Sequence, residues 1–216
     1  MQIATERILY MRLLFQGDSI TDAGRNRDDL HDLGHGYPLY AAKFIKEAFP
    51  DADIEFIDKG ISGDQTKDLV ARLEEDFVKL QPDMVSIMIG INDTWHHASD
   101  KSWIPNEVFE ERYTTVLKAL KERTNAKIVI IEPFLIPIED KLFFREDLDP
   151  KIQIVRKLAR EYADVFIPTD GLLASAFIGN DPLAFAADGV HPTAYGAEFI
   201  GKLYLDYTKE LIASLI

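Results

Sequence analysis

The segment MVSIMIGIND, residues 84–93, decides the fold class. The run Met84–Ile89 is apolar at every position except Ser86, and Gly90 then ends it. A short run that is apolar at consecutive positions is typical of a strand covered on both faces, as in a parallel sheet between helices. Polar side chains begin at Asn92, immediately after the predicted strand ends.

Runs of the same kind recur along the chain and alternate with longer amphipathic stretches. The other predicted strands are Ile8–Phe15, Ile54–Ile57, Ile128–Ile131 and Val165–Ile167. The predicted helices are Leu39–Phe49, Thr66–Leu80, Asn106–Arg123, Leu148–Tyr162 and about Thr193–Leu215. This alternation predicts βαβ units around a parallel sheet. The length of 216 residues suits one domain, so we expect residues 1–216 to form a single unit.

The composition of the chain excludes several kinds of catalytic site and disfavours several classes of partner. The chain has no cysteine, which excludes disulfides, thiolate catalysis, zinc–cysteine sites and iron–sulfur clusters. Its formal net charge of −13 disfavours nucleic acid and anionic membranes as partners, because their phosphates would be repelled. No apolar run approaches the roughly 18–20 residues that span a bilayer, and no signal peptide is recognisable. We therefore expect a cytoplasmic protein.

Ligands of open parallel sheets bind at the carboxyl ends of the strands, so the loops that follow strands matter most. In residues 17–22, Ser19 is either an exposed nucleophile or the cap of a short helix. In residues 60–66, two glycines either expose backbone amides to a ligand or form a tight turn. In residues 90–93, an Asn side chain either donates into the crevice or stabilises a turn.

A further motif, Asp188-Gly189-Val190-His191-Pro192, precedes the last predicted helix. The spacing of three residues lets the Asp188 carboxylate accept a hydrogen bond from one nitrogen of His191 while the other nitrogen faces the crevice. A purely structural Asp–His pair is the alternative interpretation.

Taken together, these residues make a complete set for acyl transfer. Ser19 would be the nucleophile, His191 the general base and Asp188 the residue that orients the imidazole. The amides of Ser19 and Gly63 and the side chain of Asn92 would form the oxyanion hole.

Four segments carry a family resemblance: Gly-Asp-Ser-Ile-Thr at 17–21, Ile-Ser-Gly-Asp at 61–64, Gly-Ile-Asn-Asp at 90–93 and Asp-Gly-Val-His-Pro at 188–192. In this order they resemble the four blocks of the SGNH (GDSL-type) hydrolases. The resemblance implies a three-layer α/β/α sandwich, flavodoxin-like, with a five-stranded parallel sheet. It also implies ester or thioester hydrolysis without a metal or other cofactor, with the same five residues in the roles given above.

The residues around the blocks, at 19–25, 34–37, 59–63 and 85–95, resemble intracellular acetylxylan esterases more closely. This implies deacetylation of xylo-oligosaccharides by a cytoplasmic homo-oligomer. Ala187 departs from the pattern, since a bulky aromatic residue such as Trp is expected there, and the departure bears on the shape of the acyl or sugar pocket. Trp95 has two interpretations, as a residue that stacks on a sugar or as part of the core.

Three alternatives remain to be compared. Within the hydrolases, a lysophospholipase or acyl-thioesterase activity competes with sugar deacetylation, although no long apolar surface helix of interfacial type is evident. A non-catalytic flavodoxin-like binding module is the alternative from another class. The neighbouring His96 and His97 suggest a metal, but adjacent side chains rarely converge on one ion, so we expect no metal site.

Overall fold

The computed structural model describes residues 10–216. Its five strands are β1 (Tyr10–Gly17), β2 (Asp53–Asp58), β3 (Met84–Met88), β4 (Lys127–Ile131) and β5 (Val165–Ile167). They form one parallel sheet in the order β2-β1-β3-β4-β5, as the SGNH resemblance implies. All five predicted strands are therefore present within one or two residues, and residues 8 and 9 of the first prediction lie outside the described residues.

The α-helices of residues 10–216 are α1 (Ser19–Asp22), α2 (Tyr37–Ala48), α3 (Thr66–Ala71), α4 (Ile91–Trp95), α5 (Asn106–Arg123), α6 (Arg145–Tyr162), α7 (Thr169–Ala176) and α8 (Ala194–Ala213). A π-helical turn covers Glu74–Val78, and 3-10 turns cover Glu139–Phe144 and Pro182–Ala184. The bounds of α5 agree with the prediction. The short helices α1, α4 and α7 were not predicted.

The predicted helix Thr66–Leu80 is wrong in its second half. The α-helical part ends at Ala71, and a π-helical turn follows. The Gln16 side-chain amide donates to the Asp76 carbonyl at 2.5 Å, so this carbonyl is occupied by a strand residue rather than by the next helical turn. A side chain inserted into the backbone ladder is a common cause of such a break.

The prediction for α6 began three residues too late, at Leu148 instead of Arg145. The 3-10 turn Glu139–Phe144 leads directly into the helix. Glu146 and Asp147 then place two acidic residues in the first turn, where negative charge favours the positive end of the helix dipole.

Helices α2 and α8 cover one face of the sheet. Their buried side chains form one cluster with β1 residues Met11, Leu13 and Phe15. The sequence pattern of this last helix predicts one apolar face formed by Ile200, Leu203, Tyr204, Tyr207 and Leu211. This is partly wrong, because Tyr207 is 39% exposed. The buried residues of α8 are Gly196, Ala197, Ile200, Gly201, Tyr204, Thr208 and Ile212.

Helices α3, α5 and α6 contribute buried side chains to a second cluster on the other face, which includes Leu14 of β1 and Ile87 of β3. The sequence of α5 predicts an apolar stripe at helical spacing, and all five of its residues are buried: Phe109, Tyr113, Val116, Leu117 and Leu120. The architecture is thus a three-layer α/β/α sandwich in which β3 is the middle strand and β1 lies between β2 and β3. No helix within residues 10–216 combines the length and apolarity needed to cross a membrane.

The close crossing of α8 and α2 depends on Gly201. A Cβ atom there would lie 2.5 Å from the Tyr40 Cβ and 2.9 Å from the Ala41 amide nitrogen. We expect Gly201→Ala to lower the free energy of unfolding by about 1–3 kcal/mol through overpacking, measured by urea denaturation.

Gly171→Ala is the matched control, because a Cβ on Gly171 in α7 would meet nothing within 4 Å. This change should instead stabilise the protein by up to about 1 kcal/mol through helix propensity. Equal effects of the two substitutions would contradict the assignment of Gly201 to a helix crossing.

Candidate active site

Ser19 is the first residue of α1, which begins immediately after β1 and Asp18. The turn requires glycine at position 17, because a Cβ there would lie 2.3 Å from Thr21 Oγ1 and 2.4 Å from the Met88 carbonyl oxygen. Asp18 caps α1 by accepting a hydrogen bond from the Ile20 amide at 3.0 Å. Strand, turn and cap together place Ser19 at the carboxyl end of β1, between the ends of β2 and β3.

Two hydrogen bonds join Ser19, His191 and Asp188 in a chain. Ser19 Oγ lies 2.9 Å from His191 Nε2, and His191 Nδ1 lies 2.7 Å from Asp188 Oδ2. With the Nδ1 proton donated to the carboxylate, Nε2 is free to accept the serine proton. The structure therefore brings together the three residues predicted as nucleophile, base and orienting acid, although they are separated by up to 172 positions.

Asp188 is held in place by its own turn. Its Oδ1 accepts hydrogen bonds from the amides of Val190 at 3.0 Å and His191 at 2.8 Å. Partial burial acts to raise the pKa of Asp188, but the hydrogen bonds from the His191 ring and the two amides outweigh it, and the pKa lies below its ordinary value. The carboxylate is thus ionised and fixed in orientation when the imidazole becomes charged.

The loop after β2 carries Gly63, which has a φ of +90° and so occupies a conformation that favours glycine. Its neighbour Ser62 donates to Asp22 Oδ2 twice, from its amide at 2.8 Å and from its hydroxyl at 2.7 Å. Asp22 is the last residue of α1 and also pairs with Arg27. These contacts connect the predicted oxyanion glycine to the helix that carries Ser19.

Asn92 lies at the start of α4 and is 5% exposed. The side-chain amide of Asn92 donates to the backbone carbonyl of Asp64 at 3.1 Å. The backbone carbonyl of Asn92 accepts from Gln65 Nε2 at 2.9 Å. Asp93 accepts from the Thr66 amide and hydroxyl at 2.9 and 2.6 Å. One hydrogen of the Asn92 amide is therefore engaged by the loop that carries Gly63, and the second is available to a ligand.

Trp95 contacts both the core and the triad. Its ring centroid lies 5.6 Å from that of His191 and 6.0 Å from that of Phe144. The Lys141 ammonium lies 5.2 Å from the Trp95 ring centroid, within range of a cation–π interaction. Phe144 and Lys141 were not singled out from the sequence, although the loop after β4 is one of the strand-end loops at which ligands bind.

A cavity of about 220 Å³ opens beside the triad. Ser19, Ala23, His35, His191 and Pro192 are among the residues that line it. His35 was not predicted as a site residue. Its only signal in the sequence was its place within residues 34–37, one of the segments that resemble acetylxylan esterases.

Within residues 10–216, the adjacent His96 and His97 form no hydrogen bond with Ser19, His191 or Asp188. His97 Nδ1 lies 3.3 Å from Ser102 Oγ, and the His96 ring lies 3.8 Å from where a Cβ on Gly63 would be. Across residues 10–216, no three His, Asp or Glu side chains are arranged to hold a metal ion.

Comparison with known proteins shows the family. A model of the GDSL-like lipase/acylhydrolase family matches residues 15–199. The chain belongs to this family. An acetylxylan esterase from Geobacillus stearothermophilus is 34% identical over 201 residues, which are 90% of this chain and 92% of that enzyme.

Solved structures agree with the family assignment. A GDSL-like lipase-family protein from Parabacteroides merdae superposes with a TM-score of 0.84 at 31% identity, covering 92% of this chain and 95% of the other. Axe2, the acetylxylan esterase from G. stearothermophilus, superposes with a TM-score of 0.83 at 32% identity, covering 91% and 93%. The protein has the SGNH hydrolase fold and is a carboxylic ester hydrolase, and the alternative of a non-catalytic binding module is set aside.

The structures of Axe2 also bear on Ala187. One variant of that enzyme carries isoleucine in place of a tryptophan that directly precedes the aspartate replaced in a catalytic mutant. In this chain Ala187 directly precedes Asp188.

Asp22 is predicted to position the loop that carries Gly63. We expect Asp22→Ala to lower kcat for p-nitrophenyl acetate by about 10- to 100-fold with a smaller change in KM, because a misplaced donor weakens transition-state binding. Asp22→Asn should recover part of the loss, since its carbonyl oxygen still accepts from Ser62. Steady-state kinetics and a thermal melt of each variant provide the measurement.

Arg27→Met is the control for Asp22, because it removes only the half-exposed partner of the same carboxylate. It should stay within about twofold of wild type. A kcat for Asp22→Ala equal to that of wild type would contradict the positioning role.

Asp18 is predicted to make stability depend on pH. It is 1% exposed, and its Oδ2 has no partner among the described residues. Burial, reinforced by the charges of Asp93 and Asp64, raises its pKa from 3.8 to about 7. Between about pH 4 and 7 only the unfolded state ionises, so this residue lowers the free energy of unfolding as pH rises, by roughly 4 kcal/mol at most.

Asp18→Asn removes this ionisation while keeping an acceptor for the Ile20 amide. The difference in melting temperature, variant minus wild type, should increase by several degrees between pH 4.5 and 7.5 and stay constant above pH 7.5. Asp51→Asn, at an exposed position, is the matched control. A difference between variant and wild type that is constant across this pH range would contradict the raised pKa of Asp18.

Proposed function

We propose that the protein is a serine esterase that removes short acyl groups, above all acetyl, from xylo-oligosaccharides or related acetylated sugars. Ser19, His191 and Asp188 form the proposed catalytic triad. The observation that carries the proposal is their hydrogen-bonded chain, with Ser19 Oγ 2.9 Å from His191 Nε2 and His191 Nδ1 2.7 Å from Asp188 Oδ2.

In the acylation step, Ser19 Oγ attacks the ester carbonyl carbon while His191 Nε2 takes the hydroxyl proton. The ionised Asp188 stabilises the imidazolium that results. The tetrahedral intermediate then collapses, the bond to the sugar oxygen breaks, and His191 returns the proton to that oxygen. The products of this step are the free sugar hydroxyl and an acetyl ester on Ser19.

In the deacylation step, water replaces the sugar. His191 takes a proton from the water while the water oxygen attacks the acetyl carbonyl. The second tetrahedral intermediate then collapses, His191 returns the proton to Ser19 Oγ, and acetate is released. In both steps the oxyanion accepts hydrogen bonds from the amides of Ser19 and Gly63 and from the Asn92 side chain. One such donor typically contributes about 3–4 kcal/mol to transition-state stabilisation.

Catalytic mutants of Axe2 support these roles. In three of them a serine, an aspartate or a histidine is replaced by alanine, and the aspartate and the histidine are three positions apart. Asp188 and His191 have the same spacing. Relatives described as acetylxylan and acetyl-xylooligosaccharide esterases support the choice of substrate, as does a net charge of −13, which disfavours anionic lipid surfaces. We also propose a cytoplasmic homo-oligomer, as in the subgroup that the sequence resembles.

Substitution of the triad tests the chemistry. Ser19→Ala and His191→Ala should each lower kcat/KM for p-nitrophenyl acetate by about 10³-fold or more while leaving the far-UV circular dichroism unchanged. His31→Ala, in which an exposed histidine outside the site is removed, is the control and should retain full activity. Equal turnover by wild type and Ser19→Ala would overturn the proposed triad.

The acyl chain separates sugar deacetylation from the lipid and thioester alternatives. For p-nitrophenyl esters, kcat/KM of the wild type should fall steeply from acetyl to octanoyl. Faster cleavage of the octanoyl ester would reject the deacetylase and favour a lysophospholipase or acyl-thioesterase activity.

A further inference from the structure

The cavity beside the triad contains a second histidine. His35 lines the same space of about 220 Å³ as Ser19 and His191. The rings of His31, His97 and His191 have a hydrogen-bond partner, whereas those of His35 and His96 have none within residues 10–216, and of these two only His35 lines the cavity. Its two nitrogens are therefore available to a molecule in the cavity.

The backbone fixes His35 against the helix that carries the nucleophile. Its amide donates to the Ala23 carbonyl at 3.0 Å. Gly34 has a φ of +58°, and a Cβ there would lie 2.6 Å from the Asp22 carbonyl oxygen. A Cβ on Gly36 would lie 2.7 Å from the Ala23 Cβ. The two glycines thus allow residues 34–36 to pack closely on the end of α1, and His35 is positioned by the same contact.

The proposed mechanism indicates which part of the substrate lies next to His35. The tetrahedral carbon on Ser19 carries the oxyanion, the acyl carbon and the leaving oxygen. The oxyanion points to Gly63 and Asn92, and neither lines the cavity. The leaving oxygen must lie next to His191, which gives it a proton. Because His191 and Ser19 both line the cavity, the cavity takes the alcohol part of the ester.

The size and chemistry of the cavity fit a single sugar ring. Its volume is below the roughly 300–1,000 Å³ typical of sites for drug-sized ligands, which suits one monosaccharide unit. An imidazole donates from one nitrogen and accepts at the other, and a sugar hydroxyl offers both functions in return. A plain aryl leaving group offers neither.

We propose that His35 is a specificity-determining residue that hydrogen-bonds a free hydroxyl of the leaving sugar, beside the ester oxygen, in a subsite between α1 and the start of α2. This inference rests on the proposed function, since it assigns the sugar side of the same active site. His35 favours sugar esters over aryl esters because it strengthens binding of the alcohol part of the substrate.

The test compares three substrates and three variants. The substrates are a mono-acetylated methyl xyloside with a free neighbouring hydroxyl and its analogue that lacks this hydroxyl, with p-nitrophenyl acetate as the aryl reference. The variants are His35→Ala, His35→Gln, which retains a donor and an acceptor, and the control His31→Ala. A thermal melt of each variant verifies the fold.

In the wild type, removal of the hydroxyl should lower kcat/KM by about tenfold, the size of one neutral hydrogen bond, mainly through KM. In His35→Ala the hydroxyl should no longer matter, so that the two xylosides are cleaved equally, and the ratio of sugar to aryl activity should fall about tenfold. His35→Gln should restore part of this ratio, and His31→Ala should keep the wild-type ratio.

Three results overturn the inference. An unchanged hydroxyl dependence in His35→Ala means that His35 does not bind this group. A loss in His35→Ala that is equal for the xyloside and p-nitrophenyl acetate means that His35 has only a structural role. If the wild type cleaves p-nitrophenyl acetate but neither xyloside, the proposed sugar substrate itself has failed, which is distinguishable from a failure of His35 alone.

Discussion

The site depends on the parallel register of three neighbouring strands. Gly17 at the end of β1 pairs with Met88 at the end of β3, and Phe15 pairs with Asp58 at the end of β2. The loop after β2 continues this pairing, since the Ile61 amide donates to the Gly17 carbonyl at 3.1 Å. The three loops therefore leave the sheet side by side. The proposed nucleophile after β1 is flanked by the proposed oxyanion donors after β2 and β3 because parallel strands end at one edge, where ligands of such sheets bind.

Buried carboxylates hold these loops together at a cost in stability. Asp58 accepts from the Gly60 amide at 2.7 Å and lies 3.5 Å from Arg25 Nε, and burial raises its pKa to about 7. Asp93 binds the first residue of α3, and Asp22 binds Ser62. Each acid accepts backbone hydrogen bonds that would otherwise be unsatisfied, which offsets part of its desolvation. These buried acids fix the backbone around the site, whereas Asp188, the carboxylate proposed to orient His191, is partly exposed.

The strands, the parallel sheet and the four loop motifs could be predicted from the sequence because each is a local pattern: an apolar run, or a few residues at a fixed spacing. The break after Ala71 could not, because it depends on Gln16, a residue of another strand. The exposure of Tyr207, which shares the predicted apolar face of α8 with the buried Tyr204, depends on how this helix packs on its neighbours. The same reason applies to Lys141, which reaches the site only through tertiary packing, and to His35, whose segment 34–37 resembles the esterases without indicating that its side chain lines the cavity.

His191 has two kinds of neighbour outside the proposed triad. Its ring centroid lies 5.6 Å from that of Trp95, which is packed against Phe144. The residue also lines the cavity with His35. The hydrogen bond to Asp188 restricts rotation of the imidazole in the proposed mechanism, in which Nε2 passes a proton from Ser19 to the leaving oxygen. The neighbouring Trp95 ring restricts movement of the imidazole further. Sequence differences near the site, such as Ala187, can then change the space for substrate without changing the path of the proton.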